Sequence, residues 1–135
     1  MRNVGLGLFV VCMTPFAAYA DEHEIPDPLE AGWQGEPVCE KLHEDDDHRI
    51  LRCTFPPGVG HERHFHRKHF GYAISGGRVR IIDASGTREL SLETGSSYSS
   101  DGVAWHEIEN IGDTTIVYLI VEPRHADSSG TAVQR

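Results

Sequence analysis

The chain has 135 residues, of which 24% are charged and 39% hydrophobic, and its formal net charge is −9. This length suits a single domain, and the composition excludes a disordered chain. The acidic balance and the lack of a basic patch argue against nucleic acid and anionic membranes as partners. The 14 glycines and the lack of apolar stripes with helical periodicity favour an all-β fold.

The first 20 residues have the pattern of a secretory signal peptide. Arg2 gives a positive start, residues 4–18 are almost entirely apolar, and Ala18-Tyr19-Ala20 has the small-x-small form of a cleavage site. The apolar run is too short to span a membrane. We therefore expect residues 1–20 to be removed and the mature protein to be periplasmic or secreted, without membrane contact. An uncleaved anchor is the alternative.

The rest of the chain predicts a lead-in, a β-barrel and a tail. Residues 21–37 are acidic and rich in proline, which predicts an irregular lead-in. Eight segments with alternating or β-branched residues then predict short strands, at 38–42, 50–55, 62–66, 69–75, 78–82, 89–92, 103–108 and 115–121. Short strands at regular spacing predict a sandwich or barrel over residues 38–123. Residues 124–135 are small and polar and predict a flexible tail.

Two cysteines, Cys39 and Cys53, would remain after signal cleavage. In an oxidising compartment such a pair often forms a disulfide. Closing a loop of about 15 residues would stabilise the fold by ~3 kcal/mol. Two separate buried thiols that pack as small hydrophobic groups are the alternative.

A histidine cluster is the most informative feature, because four of the nine histidines fall between residues 61 and 69. Alternate residues of a strand point to the same face, so we expect His64 and His66 to face one point and His61 to face away. His69 follows a short turn and can enter from the next strand, and His106 lies in another apolar strand. Imidazole suits Zn, Cu, Fe and Ni, so the cluster predicts a transition-metal site. A solvated, histidine-rich loop is the alternative.

Two stretches resemble the paired motifs of the cupin superfamily. Residues 58–76 resemble the first motif, with Gly58, His64-Phe65-His66 and Gly76 at its spacing. Residues 95–110 resemble the second, with Gly95, His106 and Asn110 in place and with Asp101 and Val103 replacing its Pro and Gly. The resemblance covers about residues 50–121. It implies a small single-domain cupin, a jelly-roll barrel of antiparallel strands.

The resemblance also implies metal ligands. His64, His66 and His106 match three of them, and His69 stands where the family usually has a glutamate. We therefore expect a four-histidine site, whose lack of a negative ligand should weaken Mn²⁺ and favour Fe²⁺, Zn²⁺, Cu²⁺ or Ni²⁺. Glu62 lies two residues before His64, so it is a tentative catalytic base or further ligand on the inward face. An exposed carboxylate at the strand edge is its alternative.

The fold implied by the resemblance does not fix the chemistry. Our first hypothesis is an exported metal-dependent enzyme that acts on a small molecule, with a dioxygenase-type oxidoreductase as the first guess. The alternative is a non-catalytic module that binds metal or a small ligand, which a closed four-histidine site would fit. A third hypothesis is a barrel without metal that acts through its surface. Sheet edges would also allow a homodimer.

Overall fold

The computed structural model describes residues 24–125, so the predicted signal peptide and most of the predicted tail lie outside the described residues. This range contains no helix long and apolar enough to span a membrane. Its strands are β1 Gly32–Trp33, β2 Glu36–Pro37, β3 Cys39–Glu44, β4 His48–Phe55, β5 Gly60–His66, β6 His69–Ser75, β7 Gly77–Asp83, β8 Gly86–Leu92, β9 Ser97–Ser100, β10 Val103–Asn110 and β11 Ile116–Pro123.

Two antiparallel sheets form the body of the domain. The first has the strand order β5-β10-β7-β8, and the second has the order β3-β4-β11-β6-β9. Strands far apart in the sequence pair with each other, as β10 does with β5 and β11 with β4. This connectivity is that of a double-sheet jelly roll. The predicted all-β fold is therefore confirmed.

The apolar core lies between the two sheets because the buried residues of the central strands, such as β4, β6 and β11, recur at every second position. In β11, for example, Ile116, Tyr118 and Ile120 are buried and the residues between them are half-buried. The core consists of Cys39, Leu51, Cys53, Phe55, Val79, Ile108, Ile116, Tyr118 and Ile120.

A disulfide links Cys39 of β3 to Cys53 of β4, as predicted for an oxidising compartment. The two residues are direct cross-strand partners, and their Cα atoms are 4.1 Å apart. Both cysteines are buried in the apolar core. The bond therefore joins the edge strand β3 to its sheet from the inside.

The lead-in is more regular than predicted, since β1 and β2 form a short hairpin around Gln34 and Gly35. It is also tied to the barrel. The amide of Phe65 donates to the carbonyl of Pro26 over 3.1 Å. Arg49 of β4 holds Asp27 through two hydrogen bonds of 2.7 and 3.1 Å. The acidic segment therefore closes one side of the barrel next to β5.

A β-bulge in β5 changes which of its side chains point inward. His106 of β10 lies opposite His64, whereas Ile108 lies opposite His61. Three residues of β5 thus span the same distance as two of β10, which is the signature of a bulge. Glu62 and Arg63 are consecutive exposed residues at this point, and His61 and His64 on either side are both buried.

Candidate metal centre

Three histidines from two neighbouring strands meet at one point between the sheets. The Nε2 atoms of His64 and His66 are 3.1 Å apart, and those of His64 and His106 are 2.9 Å apart. One nitrogen from each ring lies within 4.8 Å of the other two. The strand periodicity brings His64 and His66 to one face, and the pairing of β5 with β10 adds His106.

Hydrogen bonds on the far side of two rings fix their tautomers. Nδ1 of His64 lies 2.6 Å from the carbonyl oxygen of Glu62, and Nδ1 of His66 lies 3.3 Å from Oε1 of Glu122. Both oxygens only accept hydrogen bonds, so both Nδ1 atoms must carry the proton. In the neutral rings, the Nε2 atoms then present lone pairs to each other with no hydrogen between them. A cation at this point would satisfy both lone pairs.

Burial keeps two of these imidazoles neutral. It lowers the pKa of His64 from 6.5 to about 2, and the neighbouring rings of His61 and His106 lower it further. For His106, burial is again the main cause and His66 the next, and its pKa falls to about 3. A neutral imidazole is the form that binds metal, so these rings need not lose a proton first.

The nitrogen spacing also fits a transition-metal ion. With metal–nitrogen bonds of 2.0–2.1 Å, two imidazole nitrogens on one ion are about 2.9 Å apart at a right angle and about 3.3 Å apart at the tetrahedral angle. The observed separations of 2.9 and 3.1 Å fall in this range. The Nε2 atom of His64 is therefore spaced from each of its two neighbours as two ligands of one ion would be.

His69 lies next to this group without belonging to it. It is the first residue of β6, it is buried, and its ring centroid lies 4.8 Å from that of His66. Its Nδ1 donates to the carbonyl oxygen of Arg67 over 2.8 Å. Its Nε2 is thus left with a lone pair, as in His64 and His66. His69 belongs to the second sheet, whereas the other three histidines belong to the first. The second sheet therefore supplies a fourth imidazole donor that faces them across the interior.

A buried charge network supports His66, and no pattern in the sequence pointed to it. Glu122 is 2% exposed, and its carboxylate accepts hydrogen bonds from His66 and from Nε and Nη2 of Arg49. Burial alone would raise the pKa of Glu122, but the hydrogen bonds from His66 and Arg49 lower it. Arg49 in turn binds Asp27 of the lead-in. A carboxylate behind a metal-binding histidine orients the ring and makes it a stronger ligand.

Two expectations for β5 require correction. His61 was expected to face away, but it is fully buried and its ring stacks on that of His64, with centroids 3.6 Å apart. Glu62 is a tentative catalytic base on the inward face in the sequence analysis, but it is exposed, as in the alternative given there, and it accepts a hydrogen bond of 2.9 Å from the amide of Gln34. The bulge is the cause of both, because its extra residue turns His61 inward and Glu62 outward.

A cavity of about 390 Å³ adjoins the histidines, and His69 and His106 form part of its wall. Most of the wall is apolar, with side chains from Ala73, Ile81, Leu90, Leu92, Val103, Ile108 and Tyr118. Arg88, Tyr98 and three serines supply polar groups, and no carboxylate from the described part of the chain lines the cavity. Arg88 is paired with Asp83 at 2.5 Å. A concave, largely apolar space with a few polar groups is typical of a small-molecule site.

Comparisons with known proteins agree with the fold. The chain is similar to a cupin domain from Bordetella pertussis Tohama I, with 20% identity, a TM-score of 0.62, and coverage of 65% of this chain and 93% of that chain. It is also similar to an RmlC-like cupin from Methanocaldococcus jannaschii, with 18% identity, a TM-score of 0.55, and coverage of 65% and 80%.

A third similar structure is the polyketide cyclase RemF from Streptomyces resistomycificus, with 19% identity, a TM-score of 0.54, and coverage of 72% of this chain and 75% of that chain. At such identities the likeness shows the fold alone. No curated protein matches the chain. The model of the cupin domain family matches residues 51–122, more than half of the chain. This chain therefore belongs to the cupin domain family.

Proposed function

We propose that this cupin binds one divalent transition-metal ion through His64, His66 and His106, with His69 as the fourth ligand, and acts on a small molecule in the adjoining cavity. The observation that carries the proposal is the convergence of three Nε2 atoms, 2.9 and 3.1 Å apart, of which those of His64 and His66 face each other as lone pairs with no hydrogen between them. Burying such groups without a cation would cost free energy.

The ligand set favours particular metals. All four proposed ligands are neutral imidazoles, which suit Fe, Zn, Cu and Ni and are poor partners for Mn²⁺. The carboxylate of Glu122 is directed at Nδ1 of His66 and not at the point where the Nε2 atoms meet. It therefore increases the basicity of one ligand without adding a charged ligand.

The bound ion would supply Lewis-acid or redox chemistry. A six-coordinate ion with four imidazole ligands keeps two positions for other molecules. The cavity wall includes His69 and His106, so a substrate in the cavity would lie beside those positions. This arrangement supports a dioxygenase-type oxidoreductase as the first candidate, in which apolar walls exclude water and position the substrate.

The cavity lining also limits the small molecule. Its volume of about 390 Å³ is within the usual range for ligand pockets. Within residues 24–125, no acidic residue lines the cavity, and the lining includes the cation Arg88. The walls therefore favour a largely apolar molecule, and they offer no carboxylate to pair with an ammonium group.

A second candidate is a non-catalytic module that binds metal or a small ligand. The position of Glu62 favours it, because this carboxylate is exposed and bonded to Gln34 and so does not reach the cavity. Without a carboxylate from the described residues in the lining, proton transfer would depend on Tyr98 or on histidines that are already engaged as ligands. Oxygen consumption by the iron-loaded protein in the presence of a substrate would favour the enzyme over the module.

We extend the proposal to location, and propose that the protein works in the periplasm or outside the cell. The signal-like pattern of residues 1–20 and the disulfide between Cys39 and Cys53 support this, since disulfides persist in oxidising compartments. The test is the intact mass of the protein from its native host. Cleavage after Ala20 is expected, and a full-length cytoplasmic protein would contradict export.

A homodimer is a further part of the proposal. Phe70, Tyr72 and Ile74 project from one face of β6 and are 43%, 40% and 45% exposed. A second copy of the chain would remove this apolar stripe from water. Sedimentation of the wild type against Tyr72→Lys is the test, and a monomeric wild type at micromolar concentration would contradict the dimer.

Metal content measured by mass spectrometry tests the proposed site. The protein would be exported in a native-like host and purified without a nickel resin. About one metal ion per chain is expected, with near-complete loss in His64→Ala/His106→Ala. The matched control is His43→Ala/His48→Ala, which removes two exposed histidines and should keep the metal. Equal metal content in all three proteins, or none in a folded wild type, would overturn the proposal.

A further inference from the structure

A second group of metal-binding atoms lies behind the first, in the apolar core. It consists of Cys39, Cys53 and His61, whose donor atoms lie within 4.8 Å of one another. Cys53 and His61 are fully buried, and Cys39 is 7% exposed. Its donors are two sulfurs and one nitrogen, so its chemistry differs from that of the all-imidazole group around His64.

The tautomer of His61 leaves a lone pair directed at this group. Nε2 of His61 lies 3.0 Å from the carbonyl oxygen of Pro28, which only accepts, so Nε2 carries the proton. In the neutral ring, Nδ1 is then the nitrogen without a proton. Nδ1 therefore has a free lone pair, and its polar neighbour is Sγ of Cys39 at 3.8 Å.

A disulfide sulfur has no hydrogen to donate to that lone pair. In the dithiol form of the protein, the same position could be filled by an S–H group or by a metal ion. The distance fits a metal, since a nitrogen at about 2.0 Å and a sulfur at about 2.3 Å from one ion are about 3.7 Å apart at a trigonal angle. The observed separation is 3.8 Å.

We propose that the dithiol form of this protein binds one Cu(I) ion through Sγ of Cys39, Sγ of Cys53 and Nδ1 of His61. Soft thiolate ligands select Cu(I) and Zn(II) over harder ions. The group offers three donors in a dry, apolar setting, and Zn(II) in such structural sites takes four. Cu(I) is therefore the better match for this donor set.

The step that opens the site is reduction of the Cys39–Cys53 bond by an external dithiol. The reductant transfers two electrons and two protons to the disulfide, giving two thiols, and is itself oxidised to a disulfide. Binding of Cu(I) then releases the two thiol protons to solvent, and the copper keeps its oxidation state. Reoxidation of the cysteines to the disulfide would remove the thiolates and release the ion. The site therefore exists only in the dithiol form of the protein.

The surrounding structure keeps the donors together after reduction. Backbone pairing of β3 with β4 holds Cys39 opposite Cys53, and it does not depend on the S–S bond. The hydrogen bond to Pro28 and the stacking on His64 hold the ring of His61. Binding would require the two sulfurs to move apart from their bonding distance in the disulfide.

The test uses His66→Ala/His106→Ala, which removes the imidazole site but keeps His64 to stack on His61. The full chain would be reduced anaerobically with excess dithiol, freed of the reductant, and titrated with Cu(I) against a chromophoric chelator. One Cu(I) per chain is expected, with an ultraviolet thiolate-to-copper band. The same protein with its disulfide intact should bind less than a tenth of that amount.

Two further variants identify the donors. Cys39→Ser/Cys53→Ser should abolish the charge-transfer band, and His61→Gln should weaken Cu(I) binding at least tenfold while keeping the band. Zn(II) in place of Cu(I) should bind more weakly. Equal Cu(I) binding by the oxidised protein, or tighter binding of Zn(II), would overturn the assignment.

Far-UV circular dichroism covers the case in which reduction unfolds the chain. A reduced protein that folds when Cu(I) is added supports the site, since metal binding then drives folding. A reduced protein that is folded but binds no copper, or stays unfolded with copper, overturns it. Because the imidazole site is absent from this background, none of these outcomes bears on the metal content proposed for His64 and His106.

Discussion

The two ends of the barrel interior differ in the polarity of their buried side chains. At one end, Leu51, Phe55, Val79, Ile116 and Ile120 are almost fully buried and have no polar side-chain atoms. Burying such a side chain stabilises the fold by about 1.5–3 kcal/mol. At the other end, the interior holds imidazoles and the carboxylate of Glu122. Burying polar groups costs free energy that hydrogen bonds only partly recover.

The same strands supply both ends. The buried positions of β11 run from Ile116 through Tyr118 and Ile120 to Glu122, and β10 runs from Ile108 to the half-buried His106. The apolar part of each strand therefore holds the polar part in place. The comparison indicates that stability and the proposed metal binding depend on two different regions. Substitutions in each region test this separation.

The largest effect on stability is expected at the apolar end. Phe55→Ala should lower the free energy of unfolding by about 3–5 kcal/mol, because it removes a fully buried ring and leaves a cavity. Denaturant unfolding would measure the loss. The folded fraction of the variant should keep the metal content of the wild type. Loss of metal in folded Phe55→Ala would show that the two ends are not separable.

The histidine end should make the metal-free protein sensitive to acid. Burial, followed by the electrostatic effect of the nearby His66 ring, lowers the pKa of His61 from 6.5 to about 4, so only the unfolded chain takes up this proton between these pH values. The free energy of unfolding should therefore fall as the pH drops from 6.5 to 4, by ~3 kcal/mol from His61 alone. His64 and His106 act in the same direction.

Chemical denaturation of the metal-free protein at pH 7, 5.5 and 4.5 measures this dependence. His43→Ala is the matched control, since His43 is exposed and its removal should leave the slope unchanged. A free energy of unfolding that does not change with pH would mean that the buried rings accept protons in the folded state.

An intermediate effect is expected for the carboxylate behind His66. Glu122→Gln keeps an oxygen that can accept from Nδ1 of His66 but removes its charge, so metal affinity should fall about 10- to 100-fold. Competition with a chelator measures this affinity. Glu89→Gln is the control, because Glu89 is exposed and should leave it unchanged. Equal affinities in both variants would mean that Glu122 serves only to pair Arg49.

The smallest effect is expected on the outer face of β5. Arg63 lies 4.0 Å above the ring of Trp105 and pairs with Glu107 at 3.1 Å. Both contacts are exposed to solvent, so Arg63→Ala should lower the free energy of unfolding by less than about 1 kcal/mol. Metal content should not change. A metal-deficient Arg63→Ala protein would show that the outward contacts of the bulge residue Arg63 are also needed to hold the metal-binding rings in position.

The sequence alone predicted the class of fold and named the three histidines that converge in the structure. Alternation along single strands is a local property, so it correctly predicted the all-β fold and the shared face of His64 and His66. The disulfide prediction needed only the number of cysteines and the expected compartment. That a metal occupies the histidine group stays a prediction.

The positions of His61 and Glu62, and the partner of His66, depend on tertiary contacts. A bulge is fixed by the pairing of β5 with β10, and the sequence of β5 alone does not encode that register. Glu122 lies 56 residues from His66, at the end of an apolar strand, and reaches it only because the two sheets pack face to face. Local periodicity predicts which side of a strand a residue faces, but contacts across sheets depend on how the whole chain packs.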